Sequence, residues 1–427
     1  YDAFDIWKLD PSGKQKPVNI TNNAGRTDSI TFRYINTDPD KRFVENKDVL
    51  LLSAFDNISK EAGFYTLRLQ GRNPLLKREL DKYGYTSVKK AKNTDLFVFQ
   101  KSNFNTSPDL YITQNLWQSA KKLTDINPQM KEYNWGTTEL IRWTAFDGKQ
   151  SQGILYKPEN FDPSKKYPVM IYFYEKHSDE LYRYFAPAPS RSVINIPFFV
   201  SRGYIVFTPD IHYGVGQPGP DAYNYVVSGA QALAKNQWVD SENMAIQGQS
   251  WGGYQVAYLI TQTNMFKAAG AGAPVSNMTS AYGGIRWETG RSRQFQYEQT
   301  QSRIGATMSD SLQLYIENSP VFFANKVNTP LLIMHNDNDG AVPWYQGIEY
   351  FMSLRRLGKP VWMLQYNKEA HNLNQRRNAK DLSIRLQQFF DHYLKGAPAP
   401  VWMTRGLPAT EKGKSWGYDL EAGQPGN

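Results

Sequence analysis

Residues 243–257 read Asn243-Met244-Ala245-Ile246-Gln247-Gly248-Gln249-Ser250-Trp251-Gly252-Gly253-Tyr254-Gln255-Val256-Ala257. A short strand over Asn243–Gln247 runs into Gly248-Gln249-Ser250-Trp251-Gly252, and a helix is expected over Gly252–Thr263. A strand, a sharp Gly-x-Ser-x-Gly turn and a helix together lift a serine hydroxyl to the carboxyl end of a parallel sheet. The turn strains the serine backbone, so its neighbours must be small. The five-residue motif alone arises easily by chance, and an inert Ser in a Gly-rich turn is the plainer alternative. The flanking strand and helix favour a nucleophile.

Outward from this stretch, strands and helices alternate. Tyr167–Tyr174 and Gly203–Pro209 are apolar strands, and Asp221–Asn236 carries Val226, Val227, Ala230, Leu233 and Ala234 on one helical face. Phe266–Ala273, Pro330–His335 and Val361–Tyr366 read as further strands. Trp344–Leu357 and Asn374–Leu394 read as helices. Glu139–Phe146 and Gln152–Tyr156 flank Asp147-Gly148 as a hairpin. Alternation with buried strands implies a mostly parallel, doubly wound sheet covered on both faces.

In such a sheet an acid and a base are expected on loops after later strands, in the order Ser, Asp/Glu, His. Asp337 and Asp339 both follow Pro330–His335, and residue type alone does not choose between them. His371 follows Val361–Tyr366. The only other downstream His, His392, falls inside the last helix. Serine is a poor nucleophile until a base takes its proton, and the acid holds that base in the productive tautomer. The Trp251 backbone N–H is one expected oxyanion donor, and the loop after Tyr167–Tyr174 should supply a second.

Residues 1 to about 130 follow another pattern of short strands broken by turns. Asp5-Ile6-Trp7, Asp95-Leu96-Phe97 and Asp109-Leu110-Tyr111 repeat an Asp–aliphatic–aromatic theme. At about 40–50 residues per four-stranded blade, this length suggests roughly three blades, the C-terminal part of a β-propeller.

Composition removes several classes. The 427 residues contain no Cys, so thiol nucleophiles, disulfide scaffolds, Cys-bound zinc and iron–sulfur clusters are excluded. Imidazole must come from five His. No run approaches the ~20 apolar residues of a membrane span. The net charge of +9 comes without a block of basic residues, so it reads as a solvated surface rather than a nucleic-acid site. The chain begins at Tyr1 without Met or a signal pattern, which reads as a removed segment or a fragment. A secreted or periplasmic location is preferred and a cytoplasmic one stays open. No cofactor or metal is expected, and assembly into a homo-oligomer is left open.

Taken together, these residues resemble the prolyl oligopeptidase family of serine peptidases, including its dipeptidyl-peptidase and acylaminoacyl-peptidase branches. The resemblance covers about Glu139 to Leu394. It rests on Lys166-Tyr167-Pro168, Gly248–Tyr254, Ala273-Pro274-Val275-Ser276, Ser319-Pro320, Asp339-x-x-Val342 and Glu369-x-His371. It implies an α/β hydrolase preceded by the last blades of a β-propeller that caps the active site. It selects Asp339, three residues before Val342, as the acid. It implies Tyr174 as the second oxyanion donor and Trp251, Val275, Met278 and Val342 as substrate-pocket walls. The chain departs from the pattern at Glu175-Lys176-His177, where small residues and Pro are usual. It departs again at Ala341, where Asn or Arg often anchors the substrate backbone.

The expected organisation is a partial propeller over 1–130, a catalytic domain over 131–397 and an irregular extension over 398–427. The expected activity is hydrolysis of short peptides through Ser250, Asp339 and His371. A carboxylesterase on the same residues, or a binding module on a hydrolase scaffold, is the alternative. Gly214-Val215-Gly216-Gln217-Pro218-Gly219 imitates a dinucleotide loop, but Pro218 and Pro220 should delay the helix to Asp221. Asn19-Ile20-Thr21, Asn57-Ile58-Ser59, Asn105-Thr106-Ser107 and Asn277-Met278-Thr279 are glycosylation-type triplets of low specificity.

Overall fold

The computed structural model describes residues 1–70, 75–114, 117 and 119–421. Two compact units emerge. One is Tyr1–Thr138 with Asp179–Ala186, and the other is Glu139–Ser178 with the chain from Pro187 onward.

The larger unit is built on an eight-stranded sheet. Its strands are β1 (Thr137–Thr144), β2 (Gln150–Lys157), β3 (Tyr167–Tyr172), β4 (Ile205–Pro209), β5 (Val239–Gln249), β6 (Ala268–Gly272), β7 (Leu331–Met334) and β8 (Val361–Leu364). The order across the sheet is β1-β2-β4-β3-β5-β6-β7-β8. β2 pairs with β4 antiparallel, and every pair from β4 to β8 is parallel. β4, β6 and β7 are buried at every residue, as expected for strands covered on both faces.

Four helices do most of the covering: α1 (Pro218–Ala234), α2 (Trp251–Gln262), α3 (Tyr345–Arg356) and α4 (Arg376–Lys395). α4 buries Ala379, Leu382, Leu386, Phe389, Phe390 and Leu394, the spacing of one apolar stripe. Gly396, at φ +68°, ends it by donating its N–H to the Asp391 carbonyl. Among the described residues no helix is long and apolar enough to cross a membrane.

α1 starts at Pro218, not Asp221. Both prolines fall in its first turn, where a missing N–H costs nothing. The reason for dismissing the glycine-rich loop therefore changes. Its donors are already used: Gly214 N–H goes to the Asp221 carboxylate, Gly216 to the Arg303 carbonyl and Gly219 to Asn318 Oδ1. A phosphate there would meet a carboxylate instead of free amides.

The chain beyond α4 is packed up to residue 421. Arg385 lies against the rings of Trp402 and Tyr418 and donates to the Trp416 carbonyl. Asp381 is buried, pairs with Arg385 Nε at 2.8 Å and accepts the hydroxyls of Tyr366 and Tyr418. Removing one member of a buried pair strands the other charge. Asp381→Ala is expected to cost about 3–5 kcal/mol, read as a lower urea midpoint. An unchanged midpoint would overturn this account of how the C-terminal segment is held.

The smaller unit holds two four-stranded antiparallel sheets. One runs through Ile30–Ile35, Val49–Asp56, Ala62–Arg68 and Leu76–Asp81. The other runs through Gly84–Lys90, Leu96–Asn103, Thr106–Gln114 and Ser119–Lys122. Phe64 from the first packs on Phe99 and Trp117 of the second, and Lys101 reaches back to Glu79 and Asp81 at 2.8 Å each. Two blades are present among the described residues, where about three were expected. The first 29 residues form only a pair, Trp7–Lys8 with Val18–Asn19, and a short helix.

The Asp repeat also gains a physical reason. Buried Asp5 accepts from the Thr21 hydroxyl and the N–H groups of Gly25 and Arg26. Buried Asp109 accepts from the Thr124 hydroxyl and the Ile126 N–H. Each carboxylate ties down the chain after the following turn. Asp95 is exposed, and among the described residues it makes no bond of this kind.

Candidate active site

Ser250 sits between β5 and α2 with φ +61° and ψ −115°, a strained conformation for a residue with a side chain. Close packing on both sides forces it. A Cβ on Gly248 would lie 2.5 Å from the Gly252 carbonyl, and one on Gly252 would lie 2.6 Å from the Phe173 carbonyl oxygen. The Ser250 N–H is anchored to the Gly272 carbonyl at 2.8 Å, which locks the turn to β6. The residue after it, Trp251, is the first of α2, so its backbone N–H belongs to the unbonded helix start.

The loops after β7 and β8 meet beside this turn. His371 Nδ1 lies 2.7 Å from Asp339 Oδ2. The other carboxylate oxygen accepts the N–H groups of Ala341 and Val342, each at 2.8 Å. Burial would raise the Asp339 pKa. The hydrogen bonds from His335 and His371, together with their charges, outweigh it and hold the carboxyl well below the usual carboxylate range. The rival Asp337 accepts the Lys368 N–H at 2.6 Å and so shapes the turn before His371 without touching its ring. His392 donates to or accepts nothing here; its Nδ1 lies 2.7 Å from the Ala397 carbonyl at the end of α4.

Several residues to which the sequence assigned no role hold this arrangement. His335 is fully buried, with Nε2 3.1 Å from the Val342 carbonyl and 3.4 Å from Asp339 Oδ2. A carbonyl only accepts, so that nitrogen carries the proton. Gln249 donates to the His371 carbonyl at 2.9 Å and ties the base loop to the elbow. Glu369, buried in the same loop, accepts from the N–H groups of Asn374 and Gln375 and from the Asn378 amide. Burial opposes its charge, but these bonds prevail and lower its pKa.

Tyr174 lies just beyond β3. Its hydroxyl accepts from Gln301 Nε2 at 2.7 Å. Burial pushes its pKa up, and the bond from Gln301 opposes that shift. Gln255 of α2 donates to the Tyr174 carbonyl and fixes the end of the strand. The unusual Glu175 is compensated by Arg303 at 2.7 Å. Trp251, Val275, Met278 and Val342 are all buried in one apolar cluster, with Tyr174 packed against it. At Ala341 the side chain is a methyl group, and the fully buried guanidinium of Arg293, from a different element, donates to the Ala341 carbonyl. Asn277 caps a short helix by accepting the N–H groups of Thr279 and Ser280, and is itself buried, a structural use of that triplet.

The sequence model of the prolyl oligopeptidase family matches residues 189–397, inside the larger unit. Just under half of the chain, within that unit, is thus similar to the prolyl oligopeptidase family. Similar chains include the uncharacterized peptidase YuxL of Bacillus subtilis, 25% identical over 297 residues, covering 65% of this chain and 43% of that protein. Dipeptidyl-peptidase 5 of Porphyromonas endodontalis is 28% identical over 284 residues, covering 60% of this chain and 37% of that protein. The chain thus spans less than half the length of either relative. Among solved structures, the acylaminoacyl peptidase of Pyrococcus horikoshii superposes with a TM-score of 0.65 at 19% identity, over 81% of this chain and 55% of that one. The fold is the one expected of a prolyl oligopeptidase family member: an α/β hydrolase after an all-β part like the last blades of a propeller.

Proposed function

We propose that this chain is the catalytic part of a serine peptidase that hydrolyses short peptides through an acyl-enzyme, with Ser250 as nucleophile, His371 as base and Asp339 as its orienting acid. One observation carries the proposal: the short His371–Asp339 contact beside a serine strained at a strand–helix elbow. An ionised Asp339 accepts the proton on His371 Nδ1, so Nε2 is left as an acceptor. Nε2 takes the Ser250 proton as Oγ attacks the carbonyl carbon. The oxyanion that forms is met by the Trp251 N–H and the Tyr174 hydroxyl. His371 then protonates the departing amine, and water repeats the sequence to free the acyl group. Trp251, Val275, Met278 and Val342 form the walls for the residue whose bond is cut. For function, 1–130 serves as the partial propeller, 131–397 as the catalytic domain and 398–427 as its extension.

A fluorophosphonate probe is expected to label Ser250, and the protein to hydrolyse aminoacyl anilides as well as simple acyl esters. Ester hydrolysis with no anilide hydrolysis would make it a carboxylesterase. No labelling and no turnover would leave a binding module. Tyr174→Phe should lower kcat by about 10²–10³-fold with KM little changed, the loss expected for one oxyanion donor. An unaltered kcat would remove Tyr174 from the mechanism.

A further inference from the structure

His371 forms part of a cavity of about 510 Å³, a size typical of ligand sites, whose lining also includes Arg191, Arg286, Glu288 and Asn372. In the mechanism proposed above His371 gives its proton to the departing amine, so the leaving group must rest against the imidazole. The cavity shares His371 with that position.

Its charges are uneven. Two guanidiniums face one carboxylate. Arg191 is held in place by the Leu373 carbonyl and Asn374 Oδ1, both at 2.8 Å. Arg286 stands on a two-stranded hairpin, Ile285–Arg286 with Arg291–Ser292. The Glu288 N–H donates to the Gly340 carbonyl at 3.2 Å and joins this hairpin to the acid loop. Among the described residues neither Arg191 nor Arg286 forms an ion pair with a carboxylate. A half-buried cation beside a reaction centre, without its own counter-ion, suits an anionic substrate group.

We propose that this cavity is a carboxylate subsite, in which Arg286, aided by Arg191, holds a carboxylate on the leaving fragment. A short peptide carries such a group at its free C-terminus, and an acidic side chain next to the scissile bond is the second source of the same chemistry. The inference rests on the peptidase reading, and its test separates the two. Matched peptides would differ only in the leaving fragment: free acid against C-terminal amide, and Asp against Asn beside the cut.

The full-length protein is expected to cleave a carboxylate-bearing member with kcat/KM about tenfold above its neutral counterpart, the scale of one charge-assisted hydrogen bond. Preference within the first pair identifies the terminal carboxylate, and preference within the second identifies the side chain. Arg286→Gln should bring the ratio close to one, and Arg286→Lys should keep part of it. Inhibition of the wild type by a free amino acid, but not by its amide, reads out the same subsite without a variant. Equal rates within both pairs, or a full ratio in Arg286→Gln, would overturn the subsite. No cleavage of any peptide would instead overturn the peptidase reading.

Discussion

Ser250→Ala is expected to reduce kcat/KM for peptide hydrolysis by at least ~10⁴-fold and to abolish fluorophosphonate labelling. The loss should be this large because no other group can take over. The chain has no Cys, and Gln249, the neighbour of Ser250, is bonded to the His371 loop. The substitution removes only a hydroxyl, and Ala tolerates the strained φ of +61° no worse than Ser does. Folding should therefore survive, and a thermal melt within a few degrees of wild type would show it. KM should move little, because the apolar walls and the cavity beside His371 remain. Residual activity within tenfold of wild type would mean that another residue performs the attack.

Asp339→Asn is the second large effect, and the hydrogen bonds dictate its sign. Asp339 Oδ1 accepts two N–H groups, from Ala341 and Val342, so the Asn carbonyl oxygen must stay on that side. The amide NH₂ then faces His371 Nδ1 and forces that nitrogen to accept. The imidazole proton moves to Nε2, which can no longer receive the Ser250 proton. A fall in kcat of about 10⁴-fold is expected.

The same residue predicts a stability profile. The folded pKa of Asp339 is depressed, so its carboxylate stabilises the native state fully above the unfolded value near 4. That contribution is lost as pH falls from there through the folded pKa. Urea unfolding of wild type and Asp339→Asn should differ most at neutral pH and converge as pH drops below about 4. A gap that widened on acidification would overturn the assigned charge. An acid limb in kcat/KM above pH ~5 therefore belongs to a group other than Asp339.

Much of the larger unit was legible because its signals are local. Continuous apolar strands, an apolar helical face and small residues around Ser250 each need only a few neighbours in sequence. The order of Ser, Asp and His along the chain could be read for the same reason: each lies directly after a recognisable strand. The misreadings came where local rules were applied too strictly. Pro218 and Pro220 start α1 instead of delaying it, since the first helical turn has no N–H bonds to lose. Blade count by length failed because the first 29 residues pair only briefly.

The sequence by itself determined the candidate nucleophile and the short list of groups able to activate it, because strand–turn–helix geometry and the lack of Cys are properties of the chain. Local spacing left two carboxylates and the family resemblance favoured Asp339; the tertiary structure gives the physical reason that this one meets the imidazole. Asp339 and His371 lie 32 residues apart, and the parallel register of β7 and β8 brings their loops together while turning Asp337 onto the Lys368 N–H. The supports from His335, Gln249 and Gln301, and the two arginines lining the cavity with His371, arise in the same way. Their positions follow from how the sheet stacks its loop ends, and no local spacing records that.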